Sequence, residues 1–172
     1  FSALVGDLVA LTRDDHLQRQ PERLDMSEVV EAALARATRR GPNITFHTHL
    51  EPVPILGDAS TLERAITNLL DNAVKFSPSD GEIWVELTSA GVLTIIDSGP
   101  GVADEDLPHI FDRFYRSDRA RNTPGTGLGL AIVAHTVEAH GGSVRAGNQQ
   151  GAGAKFTMRL PVLNIPESPL SP

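Results

Sequence analysis

The stretch from Asp97 to Thr126 has no regular hydrophobic repeat, and this interruption constrains the fold more than any other feature of the sequence. Glycine, proline and charged residues dominate it, with one short apolar patch from Leu107 to Tyr115. Structureless loops of this length are uncommon in compact domains and are usually functional. We therefore expect a long functional loop within one domain, preceded by a strand and followed by a helix.

The elements around this loop mix helices and strands. Ser27 and Asp58 are the expected N-caps of two of the helices. Apolar residues at helical spacing predict helices over residues 1–12, 27–40, 58–76 and 128–140. Short or alternating apolar runs predict strands over residues 44–50, 53–56, 83–88, 92–96, 143–146 and 155–160. This order indicates the α/β class: a two-layer sandwich in which helices cover one face of an open mixed β-sheet.

Composition excludes several kinds of function. The formal net charge of −7 argues against nucleic-acid binding. There is no cysteine, which excludes disulfides and thiolate metal sites. No apolar run approaches the roughly 18 residues of a membrane span. Because the chain begins at Phe1 and not at Met, we expect it to be a fragment or a processed product of a longer protein, which could itself be membrane-anchored.

Three polar residues share one face of the predicted 58–76 helix. Asn68 and Asn72 are four residues apart, and Lys75 follows after three more. Amide oxygens suit Mg²⁺, and an ammonium group balances phosphate charge. An isolated Asn-x-x-x-Asn pair is more often a solvated polar surface, so this motif alone does not decide the function.

Two glycine-rich segments follow. Asp97-Ser-Gly99-Pro-Gly101 comes directly after a strand, where a carboxylate can accept a hydrogen bond from an exocyclic amine such as that of adenine. Taken alone, it also fits an ordinary turn. Gly125-Thr126-Gly127-Leu128-Gly129 opens a helix, and free amides there form an anion site. It lacks the last glycine of the dinucleotide fingerprint and the lysine of the P-loop.

Together these segments resemble the successive sequence boxes of the sensor histidine kinase ATP-binding domain. All occur in the family's order, and the resemblance covers residues 24–160. The boxes are the asparagine box Asn68–Lys75, the first glycine box Asp97–Gly101, the phenylalanine box Phe111–Arg116, the second glycine box Gly125–Leu130, and the pair Gly141-Gly142 after His140.

The resemblance implies the Bergerat ATP-binding fold and specific residue roles. Asn72 would ligate Mg²⁺ with Asn68 beside it, and Lys75 would contact phosphate. Asp97 would recognise the adenine amine with Phe76 near the base. The residues expected to take part in catalysis are Asn68, Lys75 and Arg116, the last of which would approach the phosphates. The other expected nucleotide contacts are Gly99, Gly101, Gly125, Thr126, Gly127, Leu128 and Gly129.

The resemblance also implies an organisation for the parent protein. We expect residues 1–13 to be the end of a second dimerisation helix, 14–23 a linker, 24–160 the catalytic domain and 161–172 a disordered tail. The parent would be a homodimeric phosphoprotein anchored in the bacterial inner membrane. This domain would lie in the cytoplasm and act on a phosphohistidine domain that serves a response regulator. The fragment itself is expected to be a monomer, with residues 102–126 as a mobile lid segment over the triphosphate.

The histidines do not supply an acceptor. His16 has Pro21 five positions on, as in the family's acceptor motif, but Leu17 replaces the expected acid and the apparent dimerisation helix precedes it. We therefore expect the acceptor upstream of Phe1, and no self-phosphorylation by the fragment. His47 and His49 share a strand face without a third metal ligand.

Four arginines lie in the lid segment, close to the second glycine box. We interpret them as phosphate-recognising residues and not as a nucleic-acid patch. They are Arg113, Arg116, Arg119 and Arg121.

Other functions remain as alternatives. Related ATPases of the chaperone, gyrase and mismatch-repair types place a catalytic glutamate where Asn68 stands, so the amide disfavours hydrolysis. A serine kinase of the anti-sigma kind would lack the helix remnant at Phe1–Arg13. A degenerate nucleotide sensor would bind ATP without transferring phosphate, although every box residue is present.

Overall fold

The computed structural model describes residues 20–121 and 125–164, with only the backbone of Arg119 and Arg121. The strands are β1 Glu22–Asp25, β2 Thr45–Leu50, β3 Pro54–Gly57, β4 Glu82–Thr88, β5 Val92–Ile96, β6 Ser143–Asn148 and β7 Ala154–Arg159. The helices are α1 Met26–Arg40, α2 Ala59–Phe76, the short α3 Asp118–Arg121 and α4 Gly129–Ala139. Three sequence predictions concern residues outside the described part of the chain: the helix over residues 1–12, the role of His16, and most of the linker.

Five strands form the main sheet in the order β2-β4-β5-β7-β6, while β1 and β3 form a separate two-stranded sheet. β2 runs parallel to β4, and the other three pairs of the main sheet are antiparallel. A parallel pair requires a long crossover, which β3 and α2 supply here. The predicted open mixed sheet is therefore confirmed.

The interior strand β4 shows why the helices cover only one face of the sheet. Its buried residues Ile83, Val85 and Leu87 alternate with the exposed residues Glu82 and Trp84. Successive side chains of a strand point to opposite faces. One face therefore packs against the helices and the other meets solvent, as the sequence predicts for a two-layer sandwich.

The N-cap of helix α1 lies two residues earlier than predicted. The cap is Asp25, whose Oδ1 accepts the N–H of Ser27 at 2.9 Å and that of Val53 at 2.9 Å. Burial raises the pKa of Asp25, but these hydrogen bonds outweigh it and the net pKa is lowered. The prediction of Ser27 as the cap is wrong because a carboxylate can bond the helix start and the β2–β3 connection together.

Helix α2 presents the polar face singled out in the sequence. Asp58 caps it as predicted, accepting the N–H of Ser60 at 2.8 Å. Burial of each large apolar side chain contributes about 1.5–3 kcal/mol, so the core side of the helix is strongly determined. The buried residues on that side include Leu62, Ile66, Leu69, Leu70 and Ala73.

The chain remains ordered just beyond β7. Leu163 donates its N–H to the carbonyl oxygen of Pro54 at 2.8 Å, and Val162 packs against the core. The tail predicted to begin at Pro161 therefore starts with an ordered segment against β3. Residues 165–172 lie outside the described part of the chain.

Candidate functional site

A cleft of about 700 Å³ opens between α2, the end of β5 and the lid segment. Gly99 and Leu128 were predicted to contact a ligand, but neither lines it: Leu128 is fully buried, and Gly99 donates its N–H to Asp97 Oδ1 at 2.9 Å. The structure brings the other predicted residues together on the cleft wall: Asn68, Asn72, Lys75, Phe76, Asp97, Gly101, Arg116, Gly125, Thr126, Gly127 and Gly129.

The polar face of α2 forms one wall of the cleft. Asn68 Nδ2 donates to the carbonyl oxygen of Gly129 at 3.2 Å, which joins α2 to the start of α4. The Asn72 amide makes no hydrogen bond within the described part of the chain, so its oxygen is available to a ligand. Lys75 Nζ lies 5.1 Å from the centre of the Phe76 ring. Burial and then the charge of Arg116 lower the pKa of Lys75, so an anion in the cleft would be favoured by both cations.

Asp97 is buried at the opposite end, with 1% of its surface exposed. Its Oδ1 accepts the N–H groups of Gly99 at 2.9 Å and Ala154 at 3.0 Å. Burial raises the pKa of this carboxyl although both hydrogen bonds oppose the shift. Within the described residues Oδ2 takes no hydrogen bond, so it can accept one from a ligand.

Close approach to Asp97 explains a glycine outside the recognised boxes. A Cβ on Gly153 would stand 2.1 Å from Asp97 Oδ1, closer than any real contact. The Gly153 N–H also donates to the Asp97 carbonyl oxygen at 2.8 Å. The β6–β7 turn therefore forms the support of the buried carboxylate.

The lid segment begins at a clamp that the sequence did not predict. Asn148, the last residue of β6, accepts the N–H of Val102 on Oδ1 at 2.8 Å and donates from Nδ2 to the Val102 carbonyl at 2.8 Å. Gly101 has φ of +77°, and a Cβ there would lie 2.6 Å from Asn148 Oδ1. No local pattern marks Asn148, because it meets Val102 only through the register of the sheet.

Aromatic residues hold the described part of the lid segment. Phe111 packs edge-on against Phe156 with ring centroids 6.4 Å apart. The hydroxyl of Tyr115 donates to the Asp106 carboxylate, which raises the pKa of Tyr115 to about 12. Both Tyr115 and Asp106 line the cleft, so the segment forms one side of it.

The second glycine box requires glycine at its centre. Gly127 has φ of +73°, and a Cβ there would lie 2.9 Å from backbone atoms of Phe114 and Tyr115. The Gly127 carbonyl accepts the N–H of Phe114 at 3.0 Å. Helix α4 begins two residues later, and the Leu128 side chain does not cap it. The N–H groups of that helix end are suited to an anion.

The histidines have structural partners. His140 ends α4: its Nδ1 lies 2.7 Å from the Thr136 carbonyl oxygen, and its Nε2 accepts the N–H of Asp58 at 3.1 Å. His47 stacks on Trp84 at 5.4 Å between centroids and lies 3.1 Å from Glu82. The described residues include no group of three side chains that could hold a metal by His, Asp or Glu.

The donor set fits a nucleotide with its magnesium ion. Asn68 and Asn72 offer the hard oxygen ligands that Mg²⁺ prefers, and Lys75 and Arg116 balance the charge of phosphate. Asp97 offers a buried acceptor at the other end. In the described residues no helix is long and apolar enough to cross a bilayer.

Comparison with known sequences agrees with this geometry. The family profile described as "Histidine kinase-, DNA gyrase B-, and HSP90-like ATPase" matches residues 57–164. The signal transduction histidine-protein kinase/phosphatase MprB of Mycolicibacterium smegmatis is 44% identical over 177 residues, covering 97% of this chain and 36% of that protein. MprB of Mycobacterium avium is 44% identical over 174 residues, covering 96% and 33%. The chain spans about a third of the length of these curated relatives.

Two solved structures are similar. A mycobacterial sensor histidine kinase MprB structure superposes with a TM-score of 0.78 at 40% identity, covering 84% of this chain and 100% of that one. Full-length ShkA in complex with AMPPNP has a TM-score of 0.76 at 28% identity, covering 95% of this chain and 36% of that one.

Proposed function

We propose that the cleft binds Mg²⁺-ATP and presents the γ-phosphate to a histidine. The premise is that the chain belongs to the histidine kinase-, DNA gyrase B- and HSP90-like ATPase family. Within that family it is an ATP-binding catalytic domain of the sensor histidine kinase type. The observation that carries the proposal is the convergence in one cleft of a buried acceptor, Asp97, with the amides and ammonium of α2. ShkA, a structural relative, is in complex with the ATP analogue AMPPNP.

The Asp97 end suits adenine. The two N–H groups on Oδ1 fix the carboxylate and leave Oδ2 to accept from the exocyclic amine. Phe76, Ile110 and Phe156 also line the cleft and provide apolar contacts for a base. A base with a carbonyl oxygen in place of the amine would face the carboxylate acceptor to acceptor, so guanine would be rejected.

The other end suits a triphosphate. Lys75 and Arg116 provide positive charge, and the glycine-rich start of α4 provides N–H donors. A Mg²⁺ ion, held by Asn72 with Asn68 beside it, would neutralise phosphate charge in the transition state. The side chains would then hold the γ-phosphate in line with the attacking nitrogen, at about 3–3.5 Å.

Phosphoryl transfer is favoured over hydrolysis by the residue at position 68. An amide cannot remove a proton from water, whereas a carboxylate at this position could act as a general base. The attacking imidazole of a histidine is itself a nucleophile and needs no such base.

The wider assignment concerns the parent protein. We propose that this domain acts in the cytoplasm as part of a homodimeric, membrane-anchored sensor kinase. Its phosphohistidine would then serve a response regulator. The names of the relatives support this assignment, since they describe signal transduction histidine-protein kinases.

Titration calorimetry with ATP, ADP and GTP, with and without Mg²⁺, tests the assignment. Asp97→Asn should weaken ATP binding roughly tenfold or more, because the substitution breaks a buried hydrogen-bonded site. It should also reduce the preference for ATP over GTP, because the amide can present a donor to the base. Asn72→Ala should abolish the Mg²⁺ dependence.

Ser79→Ala, in the exposed turn after α2, is the matched control and should bind as the unsubstituted chain does. Undiminished Mg²⁺-ATP affinity in both Asp97→Asn and Asn72→Ala would overturn the site assignment.

A further inference from the structure

Two arginines of α1 pair with acidic residues of α2. Arg36 Nη2 lies 2.9 Å from Glu63 Oε1, and one turn later Arg40 Nη1 pairs with Asp71 Oδ2. The two arginine side chains are similarly exposed, at 57% and 61%. Of these four residues only Arg40 and Asp71 line the cleft. The pairs are therefore alike except for their position relative to the site.

Asp71 has an unfavourable position for a phosphate site. It lies within the asparagine box, between Asn68 and Asn72 and four residues before Lys75. An acid four residues before a lysine is the spacing at which the two pair across a helix turn. An Asp71–Lys75 pair would hold the ammonium against α2 and away from a bound phosphate.

The structure shows another arrangement. Lys75 Nζ stands beside the second glycine box, 3.1 Å from the position that a Cβ on Gly125 would take. Within the described residues no ion pair joins Lys75 to Asp71. The Asp71 carboxylate is turned to Arg40, and its Oδ1 is buried without a hydrogen-bond partner. The orientation of Asp71 thus depends on Arg40.

We propose that Arg40 is a positioning residue for nucleotide binding: it holds the Asp71 carboxylate on the α1 side of the helix, so that Lys75 remains available to the phosphates. This inference rests on the proposed function of the cleft. Arg40 acts through Asp71 and not by touching the nucleotide. Without Arg40, the carboxylate competes with phosphate for Lys75 and adds an uncompensated negative charge to the cleft wall.

The test is a double-mutant cycle read by calorimetry with AMPPNP and Mg²⁺. Arg40→Gln should weaken binding about three- to tenfold, as expected for losing one charge compensation at a partly exposed site. Asp71→Asn should bind at least as tightly as the unsubstituted chain. The double variant, with both Arg40→Gln and Asp71→Asn, should recover the affinity of Asp71→Asn alone. Arg36→Gln, which breaks the equivalent pair outside the cleft, should change the affinity by less than about twofold.

A second readout separates positioning from general stability. The pKa of Lys75, followed by NMR of its side chain, should rise in Arg40→Gln, because a neighbouring carboxylate favours the charged ammonium. It should return toward the parent value in the double variant. A loss of helix packing alone would not produce this reversal.

Several outcomes would overturn the inference. If Arg40→Gln weakens binding and Asp71→Asn does not rescue it, Arg40 contacts the nucleotide directly. If Arg40→Gln binds as Arg36→Gln does, the pair has no role in the site. Failure of the parent chain to bind AMPPNP would instead count against the proposed function, so the two failures are distinguishable.

Discussion

Asp97 shows how one side chain serves both the fold and the site. Its Oδ1 receives two backbone N–H groups, from Gly99 and Ala154, so the carboxylate ties the first glycine box to β7. Burial nevertheless raises its pKa. The same carboxylate is the one proposed to read the base, so its protonation state controls recognition.

The pH dependence of base selectivity follows from this shift. Because the pKa of Asp97 is raised, lowering the pH protonates it earlier than an ordinary aspartate, and Oδ2 then becomes a donor. We predict that the ratio of ATP to GTP affinity falls as the pH drops through this raised pKa. Calorimetry at stepped pH measures it, and ionisation of the triphosphate cancels in the ratio.

Asp97→Asn is the control for this titration. Its side chain cannot ionise in the acid range, so its affinity ratio should not vary with pH. The same pH dependence in the parent and in Asp97→Asn would contradict the assignment.

The sequence predicted those site residues that lie close together along the chain. Asn68, Asn72 and Lys75 share a face because the helical period places them there. Asn148 and Gly153 were missed because they reach the site across the sheet, where register decides which residues meet. Arg40 was missed because it comes from a neighbouring helix, and the packing of two helices is not contained in local sequence spacing.

Among the elements, the β6–β7 hairpin and the lid segment act on each other. Asn148 bonds both backbone groups of Val102, as a neighbouring strand would. We predict that Asn148→Ala frees the start of the lid segment, speeds hydrogen exchange at Val102 and weakens ATP binding a few-fold. Exchange measured by mass spectrometry together with calorimetry checks this.

Gln149→Ala is the matched control for the clamp. It is the next residue along the chain, directly after β6, it is exposed, and its side chain is not part of the clamp. Equal exchange at Val102 in Asn148→Ala and Gln149→Ala would mean that the clamp does not restrain the lid segment.

The lid segment has few apolar anchors for its length. Phe111 and Ile110 pack against the core, while Phe114 is 58% exposed. Segments with few buried contacts open most readily. We predict fast hydrogen exchange over residues 103–121, beyond the clamp at Val102, in the ligand-free protein and slower exchange with AMPPNP and Mg²⁺ bound. Slow exchange throughout the ligand-free segment would show that it is not a mobile lid.

The helix ends show where element prediction succeeds and fails. Asp58 was identified correctly because the cap and its helix are adjacent in sequence. The N-cap of α1 was misplaced by two residues because Asp25 is selected by a second bond, to Val53. Local patterns do not contain that distant partner.

At the scale of the whole molecule, the question is which histidine accepts the phosphate. The chain has six histidines, and none has the sequence context of the family's acceptor. We predict that the chain alone does not label itself with γ-labelled ATP, because transfer needs an imidazole held in line with the phosphate. Adding the dimerisation domain of the proposed full-length kinase as a separate chain should give acid-labile labelling, slowly because the reaction becomes bimolecular.

His16→Ala is the decisive variant for this experiment. His16 lies outside the described residues and is the histidine that most resembles an acceptor. Acid-labile label on the chain alone that disappears in His16→Ala would show that His16 is the acceptor after all.

The strand order has a consequence for how the domain is made. β7 is the last strand of the described residues, yet it lies between β5 and β6 in the sheet. A ribosome adds about 5–20 residues per second, so for some time the nascent chain carries two unpaired strand edges, which are prone to aggregation. Asp97 also lacks its Ala154 partner until then. The adenine end of the cleft can therefore form only after β7 has been synthesised, and premature termination before β7 would release a chain that chaperones must bind or proteases remove.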